Sequence, residues 1–189
     1  MSEVKSGGRK RVWVIAVAAV AVVVLAIGLA VFKPWLLFVD VRVDEEIPSV
    51  AAPAEQAEPS GSSTVEVPAG PVQLAEGSFI SHEHTTTGTV RIIEQPDGTR
   101  VLALESLDTS NGPDVHVWLS AADVLEGPGG WFTAGSADHV DLGLIKGNQG
   151  NQVYKISADV DLSKYRSVDL WCVQFAVSFG AAQLTSRDK

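Results

Sequence analysis

The sequence predicts an all-β, antiparallel sandwich or barrel-like domain, preceded by one transmembrane helix and a flexible stalk. One observation is an uninterrupted apolar run over residues 12–32. Another is a series of short β-prone segments between residues 74 and 185, separated by turns rich in glycine and proline. This pattern is typical of antiparallel sandwiches and barrels. A chain of 189 residues is long enough for about one such domain with appendages.

The apolar run over residues 12–32 has the length of a membrane span. As a helix rising 1.5 Å per residue it extends roughly 31 Å, which is the thickness of a bilayer core. A basic tail over residues 1–11 precedes it, and the positive-inside rule places this tail in the cytoplasm. A cleavable signal peptide is the alternative, because residues 28–30 read Gly-Leu-Ala. We favour an uncleaved, single-pass anchor in the cell membrane, because the run is longer than a signal-peptide core. With either interpretation the rest of the chain is extracytoplasmic.

Residues 33–73 follow the apolar run and are rich in proline, alanine and glutamate. Such a segment has few large apolar side chains, so it cannot bury enough surface to offset its chain entropy. We therefore expect an extracytoplasmic stalk, followed by the β domain over residues 74–185. Four of the 14 basic residues and one of the 23 acidic residues precede residue 33, which leaves ten basic and twenty-two acidic residues from residue 33 onward. This acidic balance argues against nucleic acid as a partner.

The β-prone segments of the domain are short and evenly spread. In order, they cover residues 78–81, 88–93, 100–104, 115–119, 140–144 and 152–156, and the run around the single cysteine. Pro96-Asp97-Gly98 predicts a hairpin turn between the second and third segments, because proline presets φ and glycine supplies a positive φ. Residues 111–114, which read NGPD, predict another turn.

Cys172 is the only cysteine, and it lies in the run DLWCVQFAVSFG at residues 169–180. Read as one strand, this run places Trp171 on an apolar face and Cys172 on a smaller, more polar face. We therefore expect the thiol to point away from the main core, as a candidate redox thiol. Inert packing and an intermolecular disulfide are the alternatives. The chain has no CxxC and no CxxCH motif, which excludes an internal redox pair and covalent c-type haem.

Histidines form a weak candidate set for a metal site. His82 and His84 share a face if their segment is extended, and His116 follows Asp114 on a strand. Zinc and copper need three or four converging ligands, and exposed histidines are the simpler interpretation. Met1 is the only methionine, so the chain offers no methionine ligand for haem or copper. We expect no metal and no cofactor held by the chain itself. No classical catalytic motif is present either.

Four segments, in this order, resemble one known domain family. They are residues 77–89 (opening GSF and closing HTTTGT), 104–120 (LESLDTSNGPDVHVWLS), 144–163 (LIKGNQGNQVY and then DLS) and 171–180 (WCVQF and then FG). These motifs resemble those of the DM-thirteen (DM13) domain, a DOMON-associated family predicted to act in electron transfer. The resemblance covers about residues 74–185.

The resemblance implies an all-β extracellular module with Cys172 as its proposed redox-active residue. It maps His84, Asn111 and Asp114 onto motif positions that form turns or line a site. In animal relatives the domain accompanies DOMON and cytochrome-type modules. Neither module is visible in this chain, so the resemblance implies that any redox cofactor is borne by a separate partner.

Two functions follow as hypotheses. The first is a membrane-anchored redox or electron-transfer accessory that acts through Cys172 as a thiolate. The second is an adhesion or protein-interaction module with an inert, buried cysteine and no chemistry. In the second hypothesis His116, Trp118, Trp131 and Phe132 are candidate contact residues, because exposed aromatic side chains often mark interfaces.

Overall fold

The computed structural model describes residues 7–50 and 70–186. They divide into two compact units, one within residues 1–36 and the other within residues 37–189. The first unit contains the helix α1 (Gly7–Phe32). Within it, the 23 residues Lys10–Phe32 form a segment that is long and apolar enough to cross a membrane. A signal sequence would have the same length and composition. The predicted apolar helix is therefore confirmed.

The second unit is a curled sheet of ten strands. The strands are β1 (Arg42–Asp44), β2 (Val72–Ser81), β3 (Thr87–Glu94), β4 (Arg100–Asp108), β5 (Val115–Ser120), β6 (His139–Leu144), β7 (Gln149–Ile156), β8 (Ser167–Cys172), β9 (Val177–Gln183) and β10 (Thr185–Ser186). Their order is β1-β7-β4-β3-β2-β9-β8-β5-β6, and β10 pairs with β2. The predicted all-β, barrel-like class is confirmed, and one parallel pair, β1 with β7, makes the sheet mixed.

Strand β2 joins two half-sheets. Its first part pairs with β3, and residues 79–81 pair with β9. One half therefore contains β1, β7, β4 and β3, and the other contains β9, β8, β5 and β6. The main core contains apolar side chains from both halves, including Leu102, Leu104, Leu170 and Phe179. The predicted hairpin at residues 96–98 is present between β3 and β4, with Gly98 at a φ of 79°.

Residues just after the helix are part of the β unit. Strand β1 lies beside β7, and the Asn148 side chain holds its start. Its Oδ1 accepts a hydrogen bond from the Val41 amide at 2.7 Å, and its Nδ2 donates to Asp40 Oδ1 at 2.8 Å. A Cβ on Gly147 would overlap the Val41 carbonyl oxygen, so glycine is what allows this close approach.

The end of β1 is fixed by one carboxylate. Glu45 accepts hydrogen bonds from Lys146 Nζ and from the Val153 amide, each at 2.7 Å. The hydrogen bond from Lys146 is the largest cause that lowers the pKa of Glu45. The first part of the expected stalk is thus paired with the domain, because Val41 and Val43 give it a strand-forming alternation. Residues 51–69 of the expected stalk lie outside the described residues.

Candidate functional site

The run around Cys172 is a hairpin, not one strand. Strand β8 ends at Cys172, residues 173–176 form a turn, and β9 follows directly. Cys172 is 0% exposed and packs in the main core with Phe179. The expectation that the thiol points away from the main core is therefore wrong. That expectation treated residues 169–180 as one strand with Val173 and Phe175 on its apolar face. Both residues instead lie exposed in the turn.

The Cys172 thiol is strongly desolvated. Burial raises the pKa of the thiol, whereas backbone hydrogen bonds from Phe175, Gln174 and Asp114 lower it. Burial outweighs these bonds, and the net shift is upward. Attack on a disulfide requires an accessible thiolate. The folded domain therefore disfavours thiol exchange at this sulfur.

A second buried cluster lies on the opposite face of β5, β8 and β9. We call it the outer layer, and all its members are at most 7% exposed. They are His82, Trp118, Asp169, Trp171 and Ser178. The segment after β5 packs over this layer, because Ala134 clusters with the two tryptophans and Trp131 accepts a hydrogen bond from the Ser178 amide at 2.9 Å.

Three polar side chains of the outer layer form a hydrogen-bonded row. Ser178 Oγ lies 2.9 Å from Asp169 Oδ2 and 2.7 Å from His82 Nδ1. The other ring nitrogen of His82, Nε2, lies 3.1 Å from the carbonyl oxygen of Leu125. Burial raises the pKa of Asp169 to about 7, and burial lowers the pKa of His82. Desolvation therefore favours the neutral forms of both groups.

Aromatic rings fill the rest of the outer layer. The Trp118 ring stacks on Trp171, with centroids 5.1 Å apart and an interplanar angle of 21°. The His139 ring also stacks on Trp118, with centroids 3.7 Å apart and an interplanar angle of 9°. A Cβ on Gly135 would lie 2.6 Å from atoms of the Trp171 ring, so a residue without a side chain is needed there. Trp118 is thus a packed residue that is only 7% exposed.

His116 lies between two carboxylates at the edge of the domain. Its Nδ1 is 2.8 Å from Asp141 Oδ2, and its Nε2 is 3.2 Å from Asp114 Oδ1. Partial burial lowers the pKa of His116, but Asp141 and Asp114 together outweigh burial and the net shift is upward. When His116 is protonated, this arrangement is an ion pair. Asp114 is also a neighbour of the Cys172 thiol.

Asn111 and His84 have separate partners. Asn111 accepts a hydrogen bond from the Gly112 amide at 2.9 Å and donates to the Val39 carbonyl at 3.2 Å, so it ties a turn to the segment before β1. His84 Nε2 lies 2.7 Å from the carboxylate of Glu83. His82, His84 and His116 are therefore held by different groups. Within residues 7–50 and 70–186, no group of three or more His, Cys, Asp or Glu residues is placed to hold a metal ion.

Asp169 and Ser178 are site residues that the sequence analysis missed. Both lie on strands whose neighbouring residues are apolar, and both are buried. A carboxylate in the middle of a buried strand is rare unless it is paired. The segment SVDLWC therefore carried a signal, but reading residues 169–180 as one strand hid the hairpin that pairs Ser178 with Trp171, and it left Asp169 without a role.

Fold and site together define a β domain with buried, oxidisable side chains on both faces of one strand. The family model described as Electron transfer DM13 matches residues 78–184. This match covers more than half of the chain, and the chain belongs to that family. No curated protein and no solved structure matches the chain.

Proposed function

We propose that this chain is a membrane-anchored, extracytoplasmic electron-transfer accessory that exchanges single electrons with a redox cofactor borne by a partner protein. Membership of the electron-transfer family and the apolar N-terminal helix support this proposal. The observation that carries it is the continuity of oxidisable side chains. Cys172 and Trp171 are consecutive residues of β8, and the Trp171 ring stacks on Trp118.

The burial of these side chains favours electron transfer over thiol exchange. Exchange requires the sulfur atom to contact the partner's disulfide, and Cys172 is fully buried. An electron crosses a short stretch of packed protein without such contact. Only the turn at residues 173–176 follows Cys172 before the chain returns in β9. Cys172 therefore acts, in this proposal, as an oxidisable group inside the domain.

The charge of the chain beyond the helix constrains the partner. Ten basic and twenty-two acidic residues follow residue 32. Complementary charge steers the encounter between proteins and suppresses like-charged partners. We therefore expect the redox partner to present a basic surface, and we expect the association rate to fall as the salt concentration rises.

The test uses the full-length chain in lipid nanodiscs, with Trp13→Phe and Trp35→Phe as the parent background. A cationic ruthenium(III) polypyridyl complex, generated by a light flash, serves as the one-electron oxidant. The proposal predicts that the parent reduces it faster than Cys172→Ala, Trp171→Phe or Trp118→Phe, and that Trp131→Phe matches the parent. Equal rates for the parent and for all three variants would refute electron transfer through these side chains.

Partner binding without chemistry is the second candidate function. Phe132, Val173 and Phe175 are large apolar side chains that lie exposed. They belong to neighbouring segments, because Ser178, which follows the hairpin turn, bonds to Trp131. Exposed apolar side chains of this kind mark interfaces. Replacing Phe132 and Phe175 by serine would then abolish a native complex while leaving the rate of ruthenium reduction unchanged, and an intact complex would exclude this surface.

A further inference from the structure

Two buried polar atoms of the outer layer have no hydrogen-bond partner among the described residues. They are Trp118 Nε1 and Asp169 Oδ1. Both residues are more than nine-tenths buried, and an unpaired polar atom in such a place is costly. An indole nitrogen only donates, and a carboxylate oxygen accepts. The two orphan atoms are therefore chemically complementary.

The two orphan atoms belong to directly opposed residues. Trp118 and Asp169 are register partners on the antiparallel strands β5 and β8. Directly opposed residues point to the same face of a sheet, with Cβ atoms about 5 Å apart. A donor that lacks an acceptor and an acceptor that lacks a donor thus belong to directly opposed residues of one buried layer, although the two atoms are not hydrogen-bonded to each other in this structure.

The other oxygen of Asp169, Oδ2, begins the hydrogen-bonded row through Ser178 to His82. The bond from His82 to Leu125 determines where the protons of the row can lie. A carbonyl oxygen only accepts, so His82 Nε2 carries the proton in its bond to Leu125. Two arrangements then satisfy the remaining bonds. In the first, protonated Asp169 donates to Ser178, and Ser178 donates to a neutral His82. In the second, an imidazolium His82 donates to Ser178, and Ser178 donates to an ionised Asp169.

The two arrangements differ by the shift of one proton along each of two hydrogen bonds. When Asp169 accepts a further proton, the row can therefore pass one proton along, and the positive charge then lies on His82. Desolvation raises the pKa of Asp169 and lowers that of His82, which favours the neutral arrangement as the resting state. In that state Asp169 Oδ1 is an unpartnered acceptor on the residue directly opposite Trp118.

We propose that Asp169, Ser178 and His82 form an internal proton relay that takes up the indole proton of Trp118 when Trp118 is oxidised by one electron. This proposal rests on the electron-transfer function proposed above and names the residue that loses the electron. Stacking on Trp171 and His139 holds the Trp118 ring in place. His139 is exposed and its Nδ1 faces the Ala137 carbonyl at 3.3 Å, so it lies outside the relay.

The step balances in electrons and protons. Trp118 gives one electron to a one-electron oxidant, and its Nε1 proton moves to Asp169 Oδ1 once the two opposed side chains close to hydrogen-bond distance. The proton on Asp169 Oδ2 moves to Ser178, and the hydroxyl proton of Ser178 moves to His82 Nδ1. The products are a neutral tryptophanyl radical, a protonated Asp169 and a His82 imidazolium that still donates to Leu125. The return of the electron reverses every transfer.

The test is transient absorption after the ruthenium flash, on the full-length parent chain in nanodiscs. The neutral tryptophanyl radical and its protonated radical cation have distinct spectra. We expect the neutral radical in the parent, its loss in Trp118→Phe, and its retention in the matched control Trp131→Phe. In Asp169→Asn we expect the radical cation instead. In deuterated buffer, which requires no substitution, the neutral radical of the parent should form more slowly.

The outcomes separate this proposal from the one on which it rests. A persistent radical cation in the parent, or a neutral radical that survives in both Trp118→Phe and Asp169→Asn, would overturn the relay while leaving electron transfer intact. No tryptophan radical at all in the parent would overturn it as well. Failure of the domain as an accessory would appear as equal reduction rates in the earlier variants, which is a different measurement from the protonation state of the radical.

Discussion

The two faces of strand β8 are both buried, but they differ in chemistry. On the inner face Leu170 and Cys172 join the main core, where apolar side chains surround them. On the outer face Asp169 and Trp171 lie beneath the segment that follows β5, with a row of polar hydrogen bonds and two unpaired polar atoms. The inner face is packed for stability. On the outer face, the unpaired polar atoms cost free energy that apolar packing would avoid. Such buried polar groups are the pattern expected of a functional site.

This contrast changes the role of the cysteine. A lone thiol outside the cytoplasm suggests exchange chemistry when only the sequence is known. Its place on the inner face makes Cys172 a packed residue with a raised pKa. The groups that we propose to couple a proton to an electron are Trp118, Asp169, Ser178 and His82, and they lie on the outer face.

The largest effect is expected on the inner face. Leu170 is fully buried in the main core, and Leu170→Ala should lower the free energy of unfolding by about 3 kcal/mol through lost burial and a cavity. Leu144→Ala is the matched control, because Leu144 is 57% exposed. Urea denaturation compares the two. Similar, small losses for both variants would contradict the assignment of the inner face as the core.

The contact that ends the outer-layer row offers the next test. A Cβ on Gly130 would overlap the Leu125 carbonyl oxygen and lie 3.0 Å from His82 Nε2. Gly130→Ala should therefore break the bond between Leu125 and His82 and cost about 2 kcal/mol by overpacking. At Gly129 the added Cβ meets no atom within 4 Å. Gly129→Ala should thus unfold like the parent, and an equal loss in both variants would argue against this contact.

Asp169 should give the outer face a characteristic pH dependence. The folded-state pKa of about 7 lies above the ordinary value of 3.8 for an aspartate, so the folded state binds this proton more tightly than the unfolded state. The contribution of Asp169 to stability then falls by up to about 1.4 kcal/mol per pH unit as the pH rises from roughly 4 to 7. Asp169→Asn should remove this fall.

The measurement is the difference in unfolding free energy between parent and Asp169→Asn across that range. Taking the difference removes the pH dependence of groups outside the row, whereas His82 is joined to Asp169 through Ser178 and its lowered pKa acts in the opposite direction. The contribution of His82 is lost as the pH falls below its ordinary value of about 6.5. A difference that does not change with pH would show that Asp169 is ionised in the folded domain.

The smallest expected effect lies at the rim of the same half-sheet. His116 is flanked by Asp114 and Asp141, and its raised pKa means that the stabilisation is full below about pH 6.5 and is lost at higher pH. His116→Gln should cost about 0.5 kcal/mol near pH 6, as partly exposed ion pairs do. At pH 9 the cost should vanish. A cost that persists there would mean that packing, not charge, holds this side chain.

The fold class and the position of the domain followed from local patterns, whereas the faces of β8 did not. Alternating apolar residues and the turn at 96–98 are local signals, and the structure confirms both. In the run around Cys172, apolar residues continue through the turn, so the pattern does not show where the strand ends. The parallel pairing of β1 depends on Asn148 and Gly147, which lie about a hundred residues away and carry no local signal.

The outer layer depends even more strongly on tertiary contacts. His116 and Trp118 were both predicted as exposed contact residues, but the segment that follows β5 covers Trp118 and leaves His116 at the rim. Asp169 and His82 are joined only through Ser178. Asp169, Ser178 and His82 lie on β8, on β9 and just after β2, so their spacing in the sequence does not predict that they meet. Only the folded structure shows this row.

The central claim is that the single thiol is sealed on the inner face, and native-state maleimide labelling of full-length protein in nanodiscs tests it most directly. The account predicts that Cys172 reacts only as fast as the domain unfolds, and that denaturant makes the reaction rapid. Rapid labelling of the native protein, with an apparent pKa below the ordinary value of about 8.5, would contradict it. The thiol would then be an exposed, reactive group, and the assignment of the two faces of β8 would be wrong.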